Sequence, residues 1–132
     1  MPRRYKDWLA QSRRDLKAAA DSLAAENYEW CAFQAQQGAE KAVKALLLFR
    51  HRQVRGHSLV HLLGSLPEQI PVGEKLLGIA RELDIHYIQP RYPNGFPEGY
   101  PAEYYDSKIA SIALKQAKRL YSFARTHCKK LS

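Results

Sequence analysis

Residues 28–49 read YEWCAFQAQQGAEKAVKALLLF, and this run predicts a long helix with a packing face of small side chains. Its apolar residues recur at intervals of three and four, which places them on one side of an α-helix. Asn27 stands just before the run and is a residue type that favours the N-cap. Because alanine dominates the face, a neighbouring helix can approach closely. The face consists of Tyr28, Ala32, Ala35, Ala39, Ala42, Leu46 and Phe49.

The sequence before this run predicts a partner helix for it. Residues 5–23 show the same spacing over about five helical turns. A repeat of about 3.5 residues favours shallow, coiled-coil-like crossing, so we expect these two helices to form a long hairpin. The positions on this second face are Tyr5, Leu9, Ser12, Leu16, Ala19 and Leu23.

The sequence after the run predicts three more helices. Ser58 can cap a short one that ends before Pro67, a fourth runs from near Gly73 to Pro90, and a long last one carries residues 109–124. No segment alternates in polarity as a strand would. We therefore predict an all-α fold in a single domain, residues 1–132. Its architecture is an antiparallel up-and-down bundle of four long helices plus one short helix.

A proline-rich loop, residues 90–101, interrupts this helical pattern. It reads PRYPNGFPEGYP, with four prolines, two glycines and aromatic residues spaced four apart at Tyr92, Phe96 and Tyr100. Proline fixes φ, so we expect a stiff and irregular loop, which at this length is typical of functional segments.

The composition narrows the class of ligand. The net charge is +8, and no acidic residue follows Asp106, which favours a polyanion, a phosphate-bearing ligand or an acidic protein partner. The alternative is that the basic residues form solvated helix faces that serve solubility. Cys31 and Cys128 form no metal-binding motif, and no long apolar run occurs, so we expect a soluble, cytoplasmic protein with reduced thiols and no membrane segment.

Several aromatic residues exceed what one packing face needs. They are Tyr5, Trp8, Trp30 and Phe33. They predict either a contact surface, which a second copy of the chain could cover, or additional core of the monomer.

The strongest candidate for chemistry is the segment Arg81 to His86, followed by Arg91. Metal-independent RNA cleavage needs an acid and base, for which histidine is suited, and a cation for the phosphorane charge, for which arginine is suited. On a regular helix, side chains five residues apart point about 140° apart, so Arg81 and His86 could meet only through unwinding, a long reach or a two-fold interface. The structural alternative pairs Arg81 with Glu82 or Asp84 and leaves His86 packed or at the helix C-terminus.

Two other groups of polar residues have weaker patterns. His57 and His61 have the spacing of a two-histidine metal site, but no third ligand accompanies them, and we predict neither a metal nor a cofactor. Residues 36–41 include Gln36, Gln37 and Glu40, a polar turn within the alanine-rich helix. It could bond a neighbouring helix or a ligand, or it could be an exposed face with Glu40 and Lys44 paired.

Three segments resemble the HEPN domain family of prokaryotes. They are residues 31–47, CAFQAQQGAEKAVKALL; residues 56–63, GHSLVHLL; and residues 83–93, LDIHYIQPRYP. The resemblance spans most of the chain in the family's order. It implies a helical bundle that forms a homodimer, often encoded beside a small nucleotidyltransferase as in toxin–antitoxin systems. In many branches the domain is a metal-independent ribonuclease toxin.

The resemblance also suggests site residues. Active members carry an arginine, four to six residues, and then a histidine, and Arg81 and His86 fit that pattern. One branch has a tyrosine two places after the histidine, where this chain has Ile88, with Tyr87 directly adjacent to the histidine. Members that end in Arg-Tyr-Pro resemble modules that bind nucleotides or partners.

Two functional hypotheses follow. In the first, the protein is a binding module that holds a nucleotide or RNA, or serves a nucleotidyltransferase partner, with a site near the proline-rich loop; the nucleotide-binding candidates are Asp84, Tyr87, Arg91 and Tyr92. In the second, the protein is an endoribonuclease whose catalytic residues are Arg81 and His86.

Overall fold

The computed structural model describes residues 4–129 and contains six helices in that range, with no strand. Their bounds are α1 Arg4–Ala24, α2 Tyr28–Phe49, α3 Leu59–Gly64, α4 Glu74–Ile85, α5 Pro101–Tyr104 and α6 Ser107–His127. The long helices are α1, α2, α4 and α6, so the predicted all-α architecture with four long helices is confirmed.

Two short elements differ from the sequence-based expectation. The proline-rich loop contains a 3₁₀ turn, Pro93–Gly95, and it ends at the first residue of the one-turn helix α5. In both elements a proline occupies the first turn, where its fixed φ suits a helix start and its missing N–H costs nothing. The loop is therefore more regular than its composition predicts.

The α1–α2 hairpin depends on a close approach at Gly38. Ser12 is buried on α1, and its Oγ donates a hydrogen bond of 2.6 Å to the Gly38 carbonyl oxygen on α2. A Cβ atom at Gly38 would lie 2.8 Å from Leu16 Cδ2 and 3.3 Å from the Ser12 carbonyl oxygen. A larger residue would therefore have to displace the Leu16 side chain. The predicted hairpin is thus present, and its tightest point is at glycine rather than alanine.

Helix α2 is the centre of the bundle. It contacts α1 and α6 most extensively, and also α3, α4 and α5. Its small residues Ala32, Ala35 and Ala39 are fully buried, as the alanine-rich face predicts. Helix α6 buries residues that are again mostly alanine: Ala110, Ala113, Leu114, Ala117, Leu120 and Ala124.

The short helix α3 is capped at its N-terminus by Ser58 and by Asp84 of α4. Ser58 is its N-cap and accepts a hydrogen bond from the His61 backbone N–H, as the sequence predicts. Asn27 lies at the N-cap position of α2, as predicted, but its side chain makes no capping hydrogen bond.

Between residues 4 and 129, no helix combines the length and apolar character needed to cross a bilayer.

The aromatic residues in excess of one packing face divide between the two predicted roles, monomer core and contact surface. Tyr5 packs edge-on against Phe49, with ring centroids 4.9 Å apart, and so belongs to the monomer core. Trp8 is partly buried, whereas Trp30 is 46% exposed. Trp30 therefore lies on a surface that could bind another molecule.

We predict that Gly38→Ala destabilises the protein, because the new methyl group must displace Leu16 in a tight helix contact. Overpacking typically costs about 1–3 kcal/mol, and the better helix propensity of alanine returns up to about 1 kcal/mol, so we expect a net loss of about 1–2 kcal/mol. The measurement is urea unfolding. Gly64→Ala is the matched control, since a Cβ there meets nothing within 4 Å. Equal effects of the two substitutions would contradict this account of the hairpin.

Candidate functional site

Arg91 lies at the centre of a group of aromatic rings just after α4. Its guanidinium carbon is 4.4 Å from the Phe33 ring centroid, 4.7 Å from that of Tyr87 and 5.3 Å from that of Tyr92. Its Nε donates a 2.8 Å hydrogen bond to the Tyr87 carbonyl oxygen. That bond and the three rings fix the plane of the guanidinium group.

The terminal amino groups of Arg91 make no hydrogen bond or ion pair with any residue between 4 and 129. Tyr92, one of the rings beside the guanidinium, is 48% exposed. The exposed Trp30 packs edge-on against Phe33, with ring centroids 6.0 Å apart. We call this group, Arg91 with Trp30, Phe33, Tyr87 and Tyr92, the aromatic platform. It is an open cationic surface with rings available for stacking.

His57 supports the platform from the α2–α3 connection. Its ring stacks on Tyr87, with centroids 4.4 Å apart and planes inclined by 15°. Its Nδ1 lies 3.2 Å from both carboxylate oxygens of Glu40 on α2. A continuous series of contacts therefore leads from α2 through His57 and Tyr87 to Arg91.

Glu40 is a buried charge with several partners. Lys44 Nζ lies 2.9 Å from its Oε2, and the side-chain amides of Gln36 and Gln37 lie 3.4 Å from its Oε1. Gln36 also donates to the His57 carbonyl oxygen at 3.2 Å. Since Gln36 is fully buried and Glu40 is 4% exposed, the interpretation of this turn as an exposed face is wrong, although the predicted Glu40–Lys44 pair is present. The turn bonds a neighbouring segment, the first of the two predicted alternatives.

The remaining residue of that polar turn, Lys41, belongs to the hairpin. Its Nζ lies 2.6 Å from Asp15 Oδ2 on α1, in a partly buried ion pair. It does not contribute to the aromatic platform.

Asp84, a predicted nucleotide-binding residue, caps helix α3. Its Oδ1 accepts a 2.6 Å hydrogen bond from the Leu59 backbone N–H, and its Oδ2 accepts bonds from Ser58 Oγ at 2.9 Å and from the Val60 N–H at 3.2 Å. With these bonds made, the carboxylate holds the segment that follows His57. Its position indicates support of the platform rather than direct contact with a ligand.

His86 is partly buried at the C-cap of α4. Its Nδ1 lies 2.8 Å from the Tyr105 hydroxyl oxygen, and burial lowers the pKa of the imidazole to about 4 despite the opposing charge of Glu82. Burial also raises the pKa of Tyr105. The imidazole is therefore neutral at pH 7, in a packed position at the helix end, as the structural alternative predicts.

Arg81 points away from His86 within one protomer. Its Nη2 lies 3.8 Å from Glu74 Oε2 at the start of α4, whereas His86 follows the last residue of that helix. The predicted pairing with Glu82 or Asp84 is wrong, because the side chain runs back along the helix. Of the predicted site residues, the structure brings Tyr87, Arg91 and Tyr92 together and does not bring Arg81 to His86.

Sequence reasoning missed Phe33, His57 and Glu40 as parts of one site. A charged residue inside an alanine-rich buried face was a usable signal for Glu40, because such a charge requires partners. His57 was considered only as a metal ligand with His61. The structure turns His57 toward Glu40, and His61 is exposed on α3; no cluster of three or more histidine, cysteine or acidic side chains suited to a metal occurs within residues 4–129.

A family model for the HEPN domain matches residues 5–127, so this chain belongs to the HEPN domain family. The crystal structure of TT1696 from Thermus thermophilus is similar, with a TM-score of 0.92 and 41% identity over 94% of this chain and 98% of that one. ST0689, described as an archaeal HEPN homologue, has a TM-score of 0.81 and 38% identity over 95% of this chain and 98% of that one.

A relative with a functional name comes from Methanocaldococcus jannaschii. This chain is 29% identical over 122 residues to the protein named "Putative toxin MJ1304", covering 86% of this chain and 80% of that protein. The family resemblance inferred from the three sequence segments is confirmed.

We predict that His86 makes the protein less stable in acid. Its ordinary pKa of 6.5 is lowered to about 4 in the folded protein. As the pH falls below 6.5, the unfolded chain therefore takes up the proton first, and its free energy falls relative to that of the folded state. From pH 7 to about 4.5, this linkage should remove about 2–3 kcal/mol from the free energy of unfolding. His86→Gln keeps a hydrogen-bonding partner for Tyr105 and should lack that part of the pH dependence.

Urea unfolding of both proteins at the two pH values measures the difference. The exposed His61→Gln variant is the control and should follow the wild type. If His86→Gln lost as much stability in acid as the wild type, the imidazole would not be held neutral by burial.

Proposed function

We propose that this HEPN domain binds a nucleotide, as a free molecule or as a unit of single-stranded RNA, on the aromatic platform. The observation that carries the proposal is the orientation of Arg91. Its guanidinium is fixed by three rings and by the Tyr87 carbonyl, while its terminal amino groups have no partner among residues 4–129. A fixed arginine with unused donors is suited to a phosphate group.

The surrounding rings suit the base of the nucleotide. Trp30 and Tyr92 are about half exposed. Tyr92 lies beside the guanidinium, and Trp30 packs against Phe33, another ring in contact with it, so a base could stack on either exposed ring while its phosphate meets Arg91. Stacking does not discriminate strongly between bases, and an open platform fits a single strand better than it fits an enclosed small molecule. The net charge of +8 adds a favourable long-range field.

Binding has better support than RNA cleavage by Arg81 and His86. Cleavage needs a general acid for the leaving oxygen, and burial lowers the pKa of His86 to about 4, so that few molecules carry the required proton at neutral pH. Arg81 is directed toward Glu74 rather than toward the imidazole. With Arg81 as its cation, an endoribonuclease site would therefore require that side chain to turn away from Glu74, or a second protomer to supply the arginine.

A homodimer and a nucleotidyltransferase partner belong to the same proposal. Exposed isoleucines lie at the end of α4, in the turn after it and on α6, two helices in contact, which favours these helices over α1 and α2 as the dimer surface. They are Ile85, Ile88, Ile109 and Ile112. A partner is supported by membership of the HEPN domain family, whose resemblance implies a nucleotidyltransferase encoded nearby, and by the relative named "Putative toxin MJ1304".

We predict that Arg91→Ala weakens binding of a short oligouridylate about tenfold or more, because one charge-assisted phosphate contact is worth about 1.5–3 kcal/mol. Arg91→Lys should recover only part of the affinity, since lysine keeps the charge but not the planar fork. The measurement is fluorescence anisotropy of a labelled oligonucleotide at fixed salt concentration and in EDTA.

Arg119→Ala is the control of equal charge, because Arg119 is exposed on α6 and lines a groove with Leu76 and Phe123. It should bind almost as the wild type does. If Arg91→Ala bound as the wild type does, or if both arginine variants lost affinity equally, the platform would not be the binding site. The same samples on a gel should show intact RNA; cleavage abolished by His86→Ala would instead support the endoribonuclease hypothesis.

We predict that the protein is a dimer in solution and that Ile112→Asp halves its mass by placing a charge within the exposed isoleucine surface. Light scattering coupled to size exclusion measures the mass. Trp30→Asp places the same charge on α2 and should leave the dimer intact. Dissociation by Trp30→Asp alone would place the interface on α1 and α2 instead.

A further inference from the structure

Glu40 is the one acidic residue among the buried polar and charged side chains of residues 4–129. Its hydrogen-bond and ion-pair partners in that range do not include any residue of the aromatic platform. Burying a carboxylate costs several kcal/mol unless the charge is paired and hydrogen-bonded. Lys44, one turn further along α2, already supplies the opposite charge at 2.9 Å. The additional bond to His57 therefore calls for an explanation beyond neutralisation.

His57 is the partner of Glu40 that does not belong to α2. Helix α2 holds both the side chain and the backbone of His57. The ring Nδ1 lies 3.2 Å from the two Glu40 oxygens, and the His57 carbonyl oxygen lies 3.2 Å from the Gln36 side-chain amide. On the other side, Asp84 holds Ser58 and the two residues after it. The ring of a half-exposed residue on a connection is thus fixed from two helices.

The fixed His57 ring determines where Tyr87 lies. The two rings are almost parallel, and Tyr87 follows the last turn of α4, where the chain is no longer held by regular helix bonds. Tyr87 in turn contacts Arg91 twice, through its ring at 4.7 Å and through its carbonyl oxygen at 2.8 Å. A displacement of His57 would therefore be transmitted to the guanidinium.

We propose that Glu40 is the positioning residue of the aromatic platform: its buried carboxylate accepts the Nδ1–H of His57, whose ring then fixes Tyr87 and the plane of Arg91 for an RNA phosphate. The inference rests on the proposed function and adds a residue that does not itself touch the ligand. Because the Glu40 oxygens accept, the neutral His57 ring carries its proton on Nδ1 and leaves Nε2 as an acceptor.

The test is a double-mutant cycle read by oligouridylate affinity. Glu40→Gln and His57→Ala should each weaken binding roughly tenfold. The double variant should bind no less tightly than the single variant with the lower affinity, because both changes break the same series of contacts. Asp15→Asn is the matched control: it neutralises the α1 carboxylate that pairs with Lys41, the residue next to Glu40 on α2, and should leave affinity unchanged. His57→Ala keeps the test valid if Glu40→Gln folds poorly, because the His57 side chain is 54% exposed.

A second measurement needs no RNA. Nitrogen NMR of the histidine rings should show His57 protonated at Nδ1 in the wild type and in Asp15→Asn. In Glu40→Leu, which has no acceptor for the Nδ1–H, the ring should shift toward the Nε2–H tautomer. This signature would not follow from a general loss of stability.

The outcomes separate the two proposals. If Arg91→Ala weakens binding while Glu40→Gln and His57→Ala bind normally, or if their effects add fully, the positioning role is overturned and the platform stands. If Arg91→Ala binds as the wild type does, the proposed function falls and the positioning role falls with it. An unchanged His57 tautomer in Glu40→Leu would overturn the positioning role whatever the affinities are.

Discussion

A carboxylate inside a helical bundle must be neutralised where it lies, and much of the local structure follows from how this chain neutralises Glu40. Lys44 supplies the charge, two glutamines supply amide donors, and His57 brings in the connection that leads to α3. Without these partners the buried charge would cost several kcal/mol, a large part of the stability of a domain of this size. The same bonds that make the charge tolerable also fix a ring beside the candidate site.

The fold places these groups through two further constraints. The α1–α2 contact at Gly38 lies about half a turn from Glu40 and keeps that part of α2 enclosed. Asp84 joins the end of α4 to the start of α3, so that His57 and Tyr87, which are thirty positions apart in the sequence, lie against each other. Close helix packing, a buried charge and a helix cap therefore act together to build an open surface around Arg91.

Much of the fold could be predicted from the sequence, because helix positions follow from local spacing. The alanine-rich face of α2 and the cap at Ser58 are local signals. The end of α4 was predicted wrongly: the helix ends at Ile85 and a turn follows, whereas the sequence predicted helix as far as Pro90. The site was predicted only in part. Arg91 and Tyr92 were identified from the proline-rich loop, but the contact of Arg91 with Phe33 depends on how α2 and α4 pack, which spacing does not specify. Likewise, the direction of Arg81 toward Glu74 rather than His86 is a choice among rotamers that only the folded surroundings make.

The most direct test of nucleotide binding on the aromatic platform is an NMR titration of the protein with a short oligouridylate, in EDTA and at moderate salt. The account predicts that the largest shifts occur at the Arg91 Nε–H, the Trp30 indole and the Tyr92 ring, with smaller shifts at His57 and little change along the exposed basic face of α6. Shifts centred on α6, or on Arg81 and His86, with the Arg91 signal unmoved, would contradict it.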